Sequence, residues 1–212
     1  MTIVDLTHVI RPRMPVYPGT EPPEFSPSCT ISQHGFAENK ITFYSHTGTH
    51  MDAPAHIIRG GATLDQLPID RFCGQACVVD VTLAGGRTVD IAALQPAEDL
   101  MQNVDFVLLR TGWSDLWHEA GYFEGYPLLT PTAAEWIGAF GLKGLGVDMI
   151  SVDREGSTRL PIHRIFLGRD ILIIENLTNL KALPSGVFSF WCLPLKIEKG
   201  EGAPVRAVAM VP

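Results

Sequence analysis

The chain is expected to fold as a single mixed α and β domain, of the α+β or mixed α/β kind, around a β-rich core. Three observations predict this. Its 212 residues are 46% hydrophobic, which suits one buried core or at most a compact pair. Gly (20) and Pro (16) are plentiful and scattered, so the segments between turns are short. Strand-like runs outnumber helical ones, and the two kinds are interspersed.

In order along the chain, Ile3 to Thr7 reads as a strand. Residues 11–27, RPRMPVYPGTEPPEFSP, then hold six prolines in seventeen positions. Such a segment cannot be a helix or a central strand, so an extended arm is expected, of the kind that reaches over a neighbouring subunit. Residues 39–46 alternate and are rich in β-formers, and residues 75–82 give another strand. Residues 104–110, VDFVLLR, form an apolar run suited to a strand buried on both faces. A helix is expected from Thr130, a plausible N-cap, through Pro131 at the first helical position to near Gly141. Short strands follow at 144–148 and 171–175, with one or two helical turns between Pro161 and Leu167. The C-terminal part reads as two strands joined by a turn at KGEG.

The net charge is −7 and no basic run occurs, which disfavours nucleic acid as a partner. No apolar stretch approaches the roughly 20 residues that span a bilayer. The N-terminus has no basic region of a signal peptide, and membrane association is not expected. Four cysteines, Cys29, Cys73, Cys77 and Cys192, include one C-x3-C spacing without a second pair. They read as small buried residues in a reducing compartment, with the cytosol expected.

The chemistry concentrates in residues 46–56, HTGTHMDAPAH. Three of the seven histidines and a carboxylate fall in eleven residues. Gly48, two threonines and Pro54 oppose a helix here, so a strand end running into a loop fits better. In an extended segment His50 and Asp52 point the same way. His46 can join them through the turn at Gly48. Imidazoles with carboxylates and no thiolate suit Zn, Mn, Fe or Ni, and more often in catalysis than in a closed structural site. Two candidates elsewhere are His163, in LPIHRIF, and Glu175, which ends the run ILIIE. A carboxylate at the end of a buried strand requires a cation or a metal. The alternatives are a salt bridge from Glu175 to Arg164 or Arg169, and an ordinary half-exposed His163.

Residues 46–56 match the pattern H-x-G-T-H-x-D-x-P-x-H, and here the chain resembles the cyclase family, which includes the bacterial kynurenine formamidases. DLTHVI followed by PVYPG resembles that family's opening. LPIHRIFLGRDILIIENLTNL resembles its second signature, with His and Glu twelve residues apart. The resemblance implies a swivelling β/β/α fold, a homodimer or homotetramer, and two divalent ions per subunit, Zn or Mn. Carried over, His46, His50 and Asp52 hold one ion, Asp52 bridges to the second, and His163 and Glu175 complete that one. His56 is implied as the general acid/base. The implied reaction is hydrolysis of a C–N amide bond, with arylformamidase activity on N-formylkynurenine first. A lactam or lactone hydrolase of the isatin type is the alternative. Tyr17-Pro18-Gly19-Thr20 replaces the Trp-Pro-Gly-Asp common in the formamidases, which bears on substrate but not on metal.

Tyr17, Phe36 and Trp113 are candidates to line a substrate pocket, although each suits a core or surface role as well. His8, His34 and His118 lack metal-type spacing, and Asp148 and Asp153 suit structural roles in a loop. Outside the enzyme class, a metal-binding module would have a closed coordination sphere and no use for His56. An interaction protein would bind no stoichiometric metal.

Overall fold

The computed structural model describes residues 1–82 and 87–211. In chain order its strands are β1 Thr2–Asp5, β2 Glu24–Cys29, β3 Glu38–Thr42, β4 His50–Asp52, β5 Cys73–Asp80, β6 Thr88–Val89, β7 Phe106–Arg110, β8 Leu128–Leu129, β9 Gly144–Val147, β10 Leu172–Glu175, β11 Phe188–Pro194 and β12 Gly202–Val211. The helices are short: α1 Ile31–His34, α2 Ile91–Leu94, α3 Glu98–Met101, α4 Pro131–Ile137 and α5 Pro161–Leu167. None of them is long and apolar enough to cross a membrane among the described residues.

An eight-stranded sheet runs in the order β1-β12-β11-β5-β7-β9-β10-β4, and β12 also pairs with β4. That last pairing closes the sheet into a barrel. The middle of the sheet, β5-β7-β9-β10, is parallel, and the flanking pairs are antiparallel. The strand β4 is only three residues long, yet it joins β10 on one edge and β12 on the other. It is therefore the seam of the barrel.

Side chains alternate strictly across this wall. Phe106 and Leu108 point inward with Leu172, Ile174, Phe190 and Met51. Val107 and Leu109 point outward with Leu145, Val147, Ile173, Ile137 and Phe166, under the helical layer. A parallel strand covered on both faces should read as a continuous apolar run, and FVLLR does. Glu175 shares the outward face with Ile173, while His50 and Asp52 flank the inward Met51. The polar residues of β4 and β10 thus meet outside the barrel, at the carboxyl end of β10 and beneath α5.

Several boundaries differ from expectation. The helix expected to reach Gly141 stops at Ile137, and Phe140 bonds back to Ile137 in a turn. Gly138 weakens the helix there, and Gly141 takes a left-handed φ of 72°. Its start is as expected, with Thr130 Oγ1 accepting from Ala133 N at 3.1 Å. The proline-rich arm ends in β2, which pairs with β3 in a separate two-stranded sheet. Pro27 fits there because it sits at a register shift in a sheet of edges only. The strand expected over 39–46 is β3 and stops at Thr42. The small parallel pair β6–β8 and helices α2 and α3 had no clear signal in the sequence.

Phe106 is fully buried and packs edge-on to Phe190 with ring centroids 5.2 Å apart. Phe106→Ala should lower unfolding stability by about 3–5 kcal/mol in a denaturant titration. A loss below about 1 kcal/mol would show that the barrel interior does not carry the fold.

Candidate metal centre and catalytic cleft

The two seams of β4 build the site. Its register with β10 sets His50 directly opposite Glu175. Its register with β12 sets Asp52 opposite Gly202. His163 comes from the first turn of α5, above β10. His46 approaches from the turn at Gly48, whose φ of 65° is left-handed and suits glycine. Its ring lies over β12, where a Cβ on Gly202 would meet His46 Cε1 at 2.5 Å. His56 follows in the 3-10 turn Pro54–His56. All six residues line one cleft of about 450 Å³, a size that suits a small organic ligand.

Asp52 is the hub. His46 Nδ1 donates to its Oδ1 at 2.7 Å. His50 Nε2 lies 3.4 Å from Asp52 Oδ1 and 3.4 Å from Glu175 Oε2. His163 Nε2 lies 3.5 Å from Asp52 Oδ2 and 3.5 Å from Glu175 Oε1. Asp52 Oδ2 is buried and has no hydrogen-bond partner. Glu175 does not pair with Arg164 or Arg169, whose guanidinium groups bond backbone carbonyls instead.

Two ring nitrogens are aimed by their opposite sides. His50 Nδ1 donates to Gly48 O at 2.8 Å. His163 Nδ1 donates to Asp153 Oδ2 at 2.8 Å, and Asp153 also accepts from the backbone N–H of Ile162 and His163. Both Nε2 atoms are thereby turned toward the carboxylates, as in metal-ligating histidines. Asn176 supports the arrangement: it takes a left-handed φ of 58°, donates to Gly48 O and accepts from Tyr122 Oη.

The electrostatics follow from burial of two carboxylates among histidines. Burial opposes charge on His50, but Asp52 and Glu175 outweigh it and raise its pKa to about 9. Burial likewise opposes charge on His163, yet Asp153 and Asp52 lift it to about 10. Burial pushes Glu175 up, helped by the charge of Asp52. Burial also works against ionised Asp52, but the surrounding histidines hold its pKa well below the usual range. Burial lowers His56 to about 4, against the pull of Asp52.

This donor set fits a divalent ion. Oxygen and nitrogen ligands at about 2.0–2.2 Å around a tetrahedral ion stand roughly 3.3–3.6 Å from each other. The separations of His50 and His163 from Asp52 and Glu175, 3.4–3.5 Å, match that spacing and exceed good hydrogen bonds, while His46 stands at hydrogen-bond distance from Asp52. Among the described residues, two overlapping groups reach ion-sharing distance: His50, Asp52 and Glu175, and His46, Asp52 and His56. Asp52 belongs to both. His56 thus stands within reach of the same position as His46 rather than apart from it.

The cleft walls include Tyr17, Tyr44, Ile150 and Leu160. Tyr17 is held by its hydroxyl, which accepts from Gly156 N at 3.0 Å. The other two aromatic candidates lie elsewhere. Phe36 is 55% exposed on the β2–β3 hairpin. Trp113 packs on Tyr126 and donates its indole N–H to Tyr122 O. His8 stacks on Trp117, His34 accepts from Thr30 N, and His118 pairs with Arg11, all outside the cleft lining. Asp148 is buried and accepts from Thr111 and Gly112, which is a loop-fixing role. Sequence reasoning missed Glu201, Ser45 and Asn176. Asn176 left one usable signal, its place just after the carboxylate that ends a strand, where Asn tolerates left-handed backbone.

Asp153→Ala should weaken Zn2+ binding about 10–100-fold in a chelator competition, because His163 loses its orienting partner. In the same titration the wild-type protein should release protons, since His50 and His163 must give theirs up. Unchanged affinity in the variant would remove Asp153 from the site.

The family of putative cyclases matches residues 4–154. A kynurenine formamidase of Erythrobacter litoralis is 31% identical over 97% of this chain and 92% of its own length. Isatin hydrolase A from Labrenzia aggregata, solved with benzyl benzoate, has a TM-score of 0.89 at 27% identity, over 99% of this chain and 93% of that one. A structure described as a potential metal-dependent hydrolase with cyclase activity has a TM-score of 0.82 at 27% identity, over 100% of this chain and 99% of that one. With the motif, the closed barrel and the donor cluster agreeing over nearly its whole length, the chain belongs to the cyclase family.

Proposed function

We propose that the chain is a metal-dependent hydrolase of a C–N amide bond, with arylformamidase activity as the leading reading: N-formylkynurenine to kynurenine plus formate. The observation that carries it is the convergence of three histidines and Glu175 on buried Asp52, with His56 beside them in an open cleft. His46, His50 and Asp52 would hold one divalent ion, and Asp52, His163 and Glu175 a second, Zn or Mn. Such ions lower the pKa of water and polarise a carbonyl oxygen when bound.

The chain's own residues do the rest. His56 is neutral at pH 7, so one ring nitrogen is free to take a proton from water at the cleft floor. The same nitrogen returns the proton to the leaving nitrogen of the amide, which departs poorly without it. Tyr17, Tyr44 and Leu160 give the cleft apolar walls for an aryl group. A closed structural metal site would have no cleft at its face, which supports the enzyme reading over a metal-binding module.

A lactam hydrolase of the isatin type is the second reading. The close structural match to isatin hydrolase favours it, and Tyr17-Pro18-Gly19-Thr20 departs from the formamidase pattern. The proposal includes a homodimer or homotetramer, supported by exposed Ile31, Phe36 and Ile41 on the hairpin arm. Four unbridged cysteines suit the cytoplasm.

Metal-loaded protein should hydrolyse N-formylkynurenine, and a chelator should abolish the turnover. Isatin opening with no formamidase activity would transfer the assignment to the second reading, and inactivity on both would end the amide reading. His56→Ala should keep its metal and lose about 10²–10⁴-fold in kcat. Loss of metal in that variant would instead make His56 a ligand, as its reach to His46 and Asp52 allows.

A further inference from the structure

Two of the three histidines at Asp52 have a fixed partner on the side away from it. His46 differs. Its Nδ1 faces Asp52, while its Nε2 is buried and has no hydrogen-bond partner. The acceptor facing that nitrogen is Glu201 Oε1, at 3.6 Å.

Glu201 is not a loose surface carboxylate. Ser45 Oγ donates to the same Oε1 at 2.6 Å. Its backbone carbonyl accepts from Ala53 N at 2.9 Å, which ties it to the segment that follows Asp52. The preceding turn is pinned by Leu64 N to Gly200 O and by Lys199 N to Asp65 Oδ1. The next residue, Gly202, leaves room for the His46 ring where any Cβ would collide with it. Consecutive residues at the start of β12 therefore clear space for the imidazole and present a carboxylate to its outer nitrogen. Glu201 also lines the cleft beside His46 and His56.

We propose that Glu201, held by Ser45, is the positioning residue of His46. It completes a set in which each of the three histidines within 3.5 Å of Asp52 faces an outer partner: Gly48 O for His50, Asp153 for His163 and Glu201 for His46. A carboxylate behind a ligating imidazole fixes its ring and raises its basicity. The proposal rests on the reading of His46 as an ion ligand, and it adds a residue from the far end of the chain to that ligand's support.

The test is Zn2+ affinity by chelator competition for wild type, Glu201→Gln, Glu201→Ala and Ser45→Ala. Glu201→Ala should bind about 10–100-fold more weakly. Glu201→Gln and Ser45→Ala should lose less, since each keeps part of the support. The metal-free melting temperature should be unchanged in all three. In Co2+-loaded protein the visible absorption bands should shift in Glu201→Ala, because the His46 ligand changes. Wild-type affinity and unshifted bands in Glu201→Ala would overturn the proposal, as would a wild-type protein that binds no Zn2+. Because no readout uses turnover, inactive wild type with weakened Glu201→Ala binding would sink the amide-hydrolase reading alone.

Discussion

Asp52 and Glu175 are held out of water within reach of the same two histidines, His50 and His163. Carboxylates in such a place are tolerated only where positive charge and hydrogen-bond donors meet them. Much of the surrounding structure follows from that demand. The histidines hold protons above their ordinary range to meet it, and the backbone N–H of Val152 is turned onto Glu175 Oε1 at 2.9 Å. The oxygen Asp52 Oδ2 is left with no hydrogen bond. A polar cluster of this kind is poor material for a core, and the fold keeps it on the outer face of the barrel, where it opens to a cleft.

The barrel supplies what the cluster needs, namely strands that cannot shift. Phe106, Leu108, Ile174 and Phe190 fill one side of the wall, and Val107, Leu109, Ile173 and Phe166 the other. A slip of one residue in β10 would turn Glu175 inward among phenylalanines. Apolar packing on both faces therefore fixes the register that sets His50 opposite Glu175.

The candidate site was more legible in the sequence than the fold was. His46, His50, Asp52 and His56 lie within eleven residues, so their chemistry is visible as a local pattern. His163 and Glu175 were readable because an ionisable group interrupts or ends an apolar run. The strands β7 and β10 were readable for the same reason. Glu201 was not, since it sits in KGEG, a segment whose composition says only turn; its role depends on β12 returning to β4. Trp113 and Phe36 misled as pocket candidates because aromatic character carries no direction. The closure of the barrel, β4 against β12, could not be seen at all: a three-residue strand has no periodicity to detect.

That closure has a consequence for synthesis of the chain. The strand bearing His50 and Asp52 has no neighbour in the sheet until residues 172–175 and 202–204 have been made. Contacts of such long sequence separation form late. The histidine-rich segment is therefore made well before its sheet partners, its donors free and its geometry undefined in the interval. A truncated product ending before β12 has the recognisable motif but not the pairing that sets Asp52 opposite Gly202.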